Sequence, residues 1–541
     1  MDHSFYLFIA ISSMAICLAI TPIMMRIAPI IGMLDKPDNR KVHTAAVPRS
    51  GGVGIVVGIL VPLFLWLELD RLITSFLIGC SVLLFFGVWD DSRNIRPALK
   101  FFGQLVAAIT VVYYGGVYVF HFPFMGLDAL PQYIGKPFTV IAIVGMINAL
   151  NLSDGLDGLA GGEALISLVA IAFLSYLYDA AVALAVAAVT IGGIFGFLRF
   201  NSYPARIFMG DTGSQALGFV LAVLVVYLSQ QVNPVISPVS TLFLLGLPVV
   251  DSIMVFYLRA KRGDSLVVAA KDHLHHRLLK LNFHHYESVI IIYSIQILFV
   301  VGAILLPYEN DFLLMGLYFG ICVLIFSITT FAERISWRAH NTEIPVFLSS
   351  VLEKYEYLAI IPYRVLEAGM MLFIIAAAIT SNNIPVDLGV SSFVLFLLLV
   401  VMVVTNRSGI YLYRLVMFVT LGFSVYLLST YPPTWLLDQI SLVYIFFGVL
   451  SLAAFVAVRI NNEDNFQISP LDYLVVMVAV IVGMAPGIDH GSSSIIWMAI
   501  QIIVLFYTCE LTIHQNIGQR FNGLTGSVLL ALALFAFRGL A

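Results

Sequence analysis

The chain has 541 residues, 61% of them apolar and only 11% charged, with a formal net charge of -4. A soluble domain runs nearer half apolar and a quarter charged. Aqueous globules and disordered tails are therefore excluded, and the missing basic footprint excludes a nucleic-acid partner. The four cysteines, Cys17, Cys80, Cys322 and Cys509, stand singly within apolar runs and imply neither a disulfide framework nor a zinc motif.

A helix needs about 20 apolar residues to cross the hydrocarbon layer. In chain order, such runs predict spans near 4–25, 52–67, 72–89, 99–120, 137–150, 163–178, 180–198, 214–229, 239–258, 288–306 and 312–332. A second set follows near 357–379, 390–405, 411–430, 439–458, 471–486, 494–510 and 523–538. The expected fold is an all-α polytopic membrane protein, with about 11 transmembrane helices in an N-terminal part and about 7 in a C-terminal extension. The first run has no basic residues ahead of it and is too long for a signal-peptide core, so it is expected to be a retained helix. Placing the N-terminus outside puts all but Arg71, Lys136 and Arg538 of the 27 Lys and Arg on the cytoplasmic side. A miscounted span would invert every later loop, so this asymmetry supports the count as well as the orientation.

The long polar segments 33–51, 90–98, 151–162, 199–213 and 259–287 all face the cytoplasm in that topology. Asp90 and Asp91 end the third span; adjacent carboxylates at a membrane boundary need a cation or basic partners to stay ionised. The plainer alternative is a solvated helix cap aided by Arg93 and Arg96. Further on, Asn148, Asn151, Asp154 and Asp157 recur every three residues, so a helical backbone would align them on one face. Gly155, Gly158, Gly161 and Gly162 allow a backbone or phosphate to come close, whereas two Asp-Gly turns are the bland alternative. Asp211, in a Gly-rich turn before the eighth span, is either an N-cap or a Mg²⁺ ligand beside helix N–H groups free for phosphate.

The loop 259–287 carries Arg262 and then Lys271-Asp272-His273-Leu274-His275-His276-Arg277. No Cys or further His completes a tetrahedral zinc set, and contact with a sugar or diphosphate fits better, with Arg277 as a phosphate partner. Lys41 and His43 lie in the first loop, which ends in Gly51-Gly52. Asp251, about two turns inside the ninth span, is costly there unless it faces a polar cavity. Carboxylates at three helix ends beside cations and glycines suit a divalent metal bound to a nucleotide diphosphate.

The segments DKPDNRKVH, WDD, NALNLSDGLDGLAGG, FMGDTGS and HLHHRL stand in this order within residues 1–335. That part of the chain resembles the polyprenyl-phosphate N-acetylhexosamine-1-phosphate transferases of glycosyltransferase family 4. Its HLHHRL segment is similar to the undecaprenyl-phosphate GlcNAc-1-phosphate transferase branch. The resemblance implies transfer of GlcNAc-1-phosphate from UDP-GlcNAc to undecaprenyl phosphate with release of UMP, as the first membrane step of a cell-surface glycan such as O-antigen. It implies Mg²⁺, with Mn²⁺ as a substitute, a bacterial inner-membrane location with the active site facing the cytoplasm, and a homodimer. It assigns catalysis to Asp90, Asp91, Asp154 and Asp157, and the metal to Asp211 and Asp91. By the same match substrate binding falls to Lys41, His43, His273, His275 and His276, to which the reading of the residues adds Asn148, Asn151, Arg262 and Arg277.

A transporter or flippase of lipid-linked sugars is the competing class. It would place ionisable residues near mid-membrane and repeat a pattern between halves, whereas here the carboxylates cluster at one face and the C-terminal spans echo none of the motifs. Residues 336–541 form a separate membrane extension with no constellation of polar residues, expected to be a scaffold or docking surface.

Overall fold

The computed structural model describes all of the chain except residues 1–2, 36–45, 122–129, 264–271, 340–359, 382–383, 406–409, 431–432, 434–439, 461–500, 502–503, 506–507, 510, 514–522 and 541. Helices dominate, because backbone groups in hydrocarbon must be paired within their own segment. Among the described residues, 12 helices are long and apolar enough to cross a bilayer, and shorter apolar helices cover Gly51–Trp66, Leu388–Val404, Val416–Leu428 and Ile445–Ala454. The all-α polytopic expectation holds. The run expected near 471–486, and most of that near 494–510, lie outside the described residues. The described residues form two compact units, one within Met1–Asn341 and one within Thr342–Gln467 and Val482–Ala541.

The first unit contains α1 (His3–Ile31), α2 (Gly51–Trp66), α3 (Arg71–Arg93), α4 (Pro97–Ile109), α5 (Gln132–Ser153) and α6 (Leu159–Leu177). It continues with α7 (Ala181–Asn201), α8 (Gly210–Tyr227), α9 (Pro238–Arg262), the short α10 (Leu274–Lys280), α11 (His285–Leu305) and α12 (Asp311–Arg334). A two-residue antiparallel ladder pairs Leu34 with Pro48 and Asp35 with Val47. α8 is the axis of this unit. It is buried around its whole circumference, as a helix apolar on every side should be, and it packs against α2, α3, α5 and α6.

The glycine pair before α2 has a packing reason. A Cβ on Gly52 would run into the backbone of Gly213 in α8. The N–H groups of Gly51 and Gly52, which α2 cannot satisfy itself, donate to the carbonyls of Phe208 and Met209 at 3.0 and 2.8 Å. The first loop and the segment before α8 are thereby locked together.

α9, expected as one span, is broken at Gly246 (φ 30°, ψ -116°). Pro248 has no N–H for the carbonyl of Leu244, and Gln296 of α11 replaces it, its Nε2 donating to that carbonyl at 3.3 Å and to Ser167 Oγ at 2.9 Å. Gln296 Oε1 accepts from Leu247 N–H at 2.8 Å, and the Tyr318 hydroxyl donates to the Gly246 carbonyl at 3.1 Å. Gln296 and Tyr318 thus hydrogen-bond the backbone across the break, beyond which α9 carries Asp251.

In the second unit the helices Ile361–Thr380, Val386–Thr405, Ile410–Thr430, Ile440–Ile460 and Gly523–Leu540 enclose a core that includes Leu366, Met370, Ile374, Val528, Leu532 and Phe535. The Arg538 guanidinium donates to the carbonyls of Ala378, Ile379 and Ser381 at 2.9, 3.0 and 2.8 Å. It so caps the negative end of the Ile361–Thr380 helix.

Candidate active site

The last turn of α3 meets the first turn of α8. A Cβ on Gly87 would meet the backbone of Thr212, so the two helices approach closely here. Asp91 Oδ1 accepts from Asp211 N–H at 2.9 Å, and Asp91 Oδ2 accepts from Thr212 N–H at 3.0 Å and from the Thr212 hydroxyl at 2.6 Å. Asp91 thus caps α8 from another helix. One expectation changes with that: the N–H groups of Asp211 and Thr212 are occupied by Asp91 instead of being free for phosphate. Asp91, expected as a metal ligand, has both oxygens turned to the start of α8.

Asp90 faces the other way. Its Oδ1 accepts from Ile95 N–H at 2.9 Å, and its Oδ2 lies 3.4 Å from Lys100 Nζ. Lys100 also forms an ion pair with Asp211. Lys100 sits in the first turn of α4, where the positive helix end disfavours a cation, so its anionic partners account for its place. With the Asn151 amide nitrogen turned toward Asp211, it donates to Asp211 Oδ1 at 2.9 Å and to Ser214 Oγ at 2.7 Å, and its oxygen accepts from Lys100 Nζ at 3.2 Å. Asp90, Lys100, Asn151 and Asp211, from α3, α4, α5 and α8, therefore form one polar cluster. Arg49 braces it, donating from Nε to the Asp91 carbonyl at 3.1 Å and from Nη2 to Asn94 Oδ1 at 2.7 Å.

The Asn148–Asp157 register does not continue as a single face, because α5 ends at Ser153 and α6 begins at Leu159. Each of its four members has its own destination. Asn148, one turn deeper than Asn151, donates to Gln104 Oε1 at 2.8 Å, and Gln104 donates to Gln215 Oε1 at 3.1 Å. It is a lock between α4, α5 and α8, not a member of the cluster. Asp157 accepts from Ala205 N–H at 2.9 Å, and its own N–H donates to His285 Nε2 at 3.1 Å, so it ties the loop to the connection before α8. Asp154 accepts no hydrogen bond among the described residues. Burial, then the charges of Asp211, Asp91 and Asp157, push its carboxyl up to about 7. It is the carboxylate of this group most in need of a cation. Buried Glu163, in the first turns of α6, accepts from the Ser153 hydroxyl and closes the loop at its base.

On the far side of the loop, Asp251 accepts from His273 Nδ1 at 2.7 Å and from Leu274 N–H at 2.8 Å. His275 lies parallel to His273, ring centroids 5.8 Å apart and 7° between planes. It rests on Gly155, where a Cβ would collide with the imidazole. Burial, then His276, His273 and His285, holds His275 well below the usual histidine range, so it is neutral. His276 packs against His275 at 4.2 Å.

Arg277, expected as a phosphate partner, is turned to α12. Its Nε and Nη2 donate to Glu333 at 2.9 and 3.0 Å, Nη2 also donates to Thr330 at 2.9 Å, and the guanidinium lies 5.3 Å over the Phe326 ring. A bidentate fork of this kind is a staple. Arg262 is exposed and paired with Asp272. Lys41, His43 and Lys271 lie outside the described residues.

Two residues of the region escaped sequence reasoning. Lys100 was absorbed by the charge asymmetry that explains any loop cation, although a Lys in the first turn of a helix is itself a signal. Glu163 is a carboxylate within an apolar span, a rarity that marks function or a buried partner.

Asp90, Asp154 and Asp211 supply hard oxygen donors of the type Mg²⁺ prefers. Among the described residues no three His, Cys, Asp or Glu side chains are gathered in ligating geometry. Mg²⁺ does not need such a cage, because it is usually held by one or two carboxylates together with substrate phosphates and water. The donor set fits the ion.

The fold and site define an all-α polytopic membrane protein with a carboxylate and lysine cluster at abutting helix ends. Residues 73–229 match the family model "Glycosyl transferase family 4". The chain is 35% identical to the "Probable undecaprenyl-phosphate N-acetylglucosaminyl 1-phosphate transferase" of Bacillus subtilis, over 57% of this chain and 87% of that protein. It is 27% identical to the "Undecaprenyl-phosphate alpha-N-acetylglucosaminyl 1-phosphate transferase" of Escherichia coli O157:H7, over 58% of this chain and 90% of that protein. A third relative, 32% identical over 49% of this chain and 73% of its own length, is the "Decaprenyl-phosphate N-acetylglucosaminephosphotransferase" of Mycobacterium tuberculosis. The chain belongs to glycosyl transferase family 4.

Proposed function

We propose that this chain transfers N-acetylglucosamine-1-phosphate from UDP-GlcNAc to undecaprenyl phosphate, or to a similar polyprenyl phosphate, releasing UMP. The names of its relatives in three bacteria support the reaction. The observation that carries it to this site is Lys100 lying between Asp90 and Asp211 where α3, α4 and α8 converge. The relatives' names do not favour the transporter alternative.

An oxygen of the lipid phosphate attacks the β-phosphorus of the UDP-sugar, the bond to the bridging oxygen breaks, and UMP departs with that oxygen. A phosphate monoester with a second pKa of about 6 is already largely ionised at neutral pH, so Asp90 has little proton to remove. Lys100 meets the incoming phosphate charge, and Asn151 holds Lys100 and Asp211 in register. Asp91 keeps the start of α8, and with it Asp211, against α3. Asp211 and Asp90 would hold Mg²⁺, with Asp154 beside them; bound there, the ion neutralises the diphosphate and the charge that develops on UMP. His273, His275 and His276 form the sugar side of the site. The charge asymmetry of the loops supports a site that faces the cytoplasm, and the bacterial relatives support a bacterial inner membrane.

The test is UMP release by the purified full chain with undecaprenyl phosphate, run with UDP-GlcNAc and UDP-GalNAc in parallel, in Mg²⁺ and in EDTA. Release with UDP-GlcNAc and Mg²⁺ is expected. No release from either sugar overturns the reaction, and undiminished release in EDTA overturns the metal.

A further inference from the structure

Beyond the break at Gly246, α9 carries the buried carboxylate of Asp251. A carboxylate at that depth is costly unless its oxygens are hydrogen-bonded. Both are: Oδ1 accepts from Leu274 N–H at 2.8 Å, and Oδ2 accepts from His273 Nδ1 at 2.7 Å. One side chain thus sets the start of α10 and the imidazole that precedes it.

The consequence lies at the other ring nitrogen. A neutral imidazole has one N–H and one lone pair, and the hydrogen bond made by one nitrogen decides what the other offers. In the neutral ring, with Nδ1–H given to Asp251, the lone pair falls on Nε2, for which no partner exists among the described residues. The ring is held in plane by its parallel neighbour His275, which rests on Gly155, next to Asp154. A lone pair repels phosphate oxygens and accepts from O–H or N–H, so this nitrogen suits a sugar and not a diphosphate. Phosphate charge is met elsewhere, at Lys100.

We propose that Asp251 is a positioning residue that fixes His273 as the Nδ1–H tautomer, so that its Nε2 accepts a hydrogen bond from a hydroxyl or the amide N–H of the N-acetylhexosamine. This rests on the transferase reading above. Capping α10 would engage only the Leu274 N–H; the second bond, to His273, orients a ring that packs equally well in either tautomer.

The tautomer is read directly in full-length protein labelled with ¹⁵N-histidine, the His273 signals being assigned by their loss in His273→Gln. At pH 7.5 a protonated Nδ1 and a bare Nε2 are expected, with the pattern altered in Asp251→Asn. A protonated Nε2 in the unmodified protein, or the same pattern in Asp251→Asn, overturns the proposal. In the UMP assay, Asp251→Asn is expected to lower kcat/KM for UDP-GlcNAc by about 10- to 100-fold and to leave KM for undecaprenyl phosphate unchanged, with Asp251→Glu recovering part of the loss. In a His273→Ala background, Asp251→Asn is expected to add less than about twofold, because the two act as one unit. Additive losses overturn the link to His273. A wild-type chain that releases no UMP defeats the transferase reading, whereas a wrong tautomer defeats the positioning role alone.

Discussion

In the first unit Asp91, Glu163, Asp251, His273, His275 and Arg277 are all buried, whereas every buried polar side chain described in the second unit is a Ser, Thr or Gln. The hydrogen bonds show a related contrast. In the first unit several buried side chains bond between helices, from Thr212 to Asp91, from Gln104 to Gln215 and from Gln296 to Ser167. In the second, Arg538 and the Tyr413–Thr525 pair also join helices, but Thr420 donates to the Val416 carbonyl at 2.7 Å, Ser424 to Thr420 at 2.8 Å and Thr512 to Thr508 at 2.7 Å, each to the preceding turn. A bond back to the preceding turn satisfies a hydroxyl wherever the helix packs. A bond between helices holds two of them in one register, and removing either partner leaves a buried group unpaired. The first unit therefore keeps costly groups where positions matter, and the second, among the described residues, buries only hydroxyls and an amide.

That contrast can be broken at graded strengths. The largest effect is expected at Asp211→Asn, with UMP release falling by about a thousandfold, equivalent to roughly 4 kcal/mol at the transition state. Near-normal turnover with the fold intact would remove Asp211 from the chemistry. Next comes Asp91→Ala, which strands two N–H groups and a hydroxyl at the start of α8. A loss of about 2–3 kcal/mol in stability is expected, measured as a lower Tm in detergent, whereas Asp90→Asn leaves Tm nearly unchanged. Equal melting of the two variants would contradict the division of labour between the adjacent aspartates. Arg277→Ala unpairs Glu333 and is expected to cost about 1–3 kcal/mol of stability without changing KM for UDP-GlcNAc; a raised KM at unchanged Tm would return Arg277 to the substrate. The smallest effect belongs to the second unit, where Ser424→Ala is expected to shift stability by less than about 0.5 kcal/mol and to leave UMP release untouched.

Much of the candidate site was legible because its residues sit at helix ends in a chain with few charges. Asp90, Asp154, Asp211 and the three histidines stood out against apolar neighbours, as did the glycines that let Gly52 meet Gly213 and His275 meet Gly155. What was illegible was which neighbour each residue would choose. Asp91 and Asp90 are adjacent in the chain, yet α3 turns one toward the α8 backbone and the other toward Lys100. Arg277 looked like a phosphate ligand only because Glu333 lies 56 residues away and its approach cannot be read from either segment.

The sequence by itself determined the solvent and the elements: hydropathy is a local sum, so runs of apolar residues long enough to span a bilayer declare themselves without reference to the rest of the chain. It also determined the inventory of polar groups from which a site could be built. Only the tertiary structure decided the pairing of Asp91 with Thr212, Lys100 with Asp211 and Asp251 with His273. The first two pairings join different helices, and helix packing at the close approaches of Gly52 and Gly87 brings them within reach. A hydrogen bond needs its partners within about 3 Å, a distance that composition and spacing along the chain do not encode.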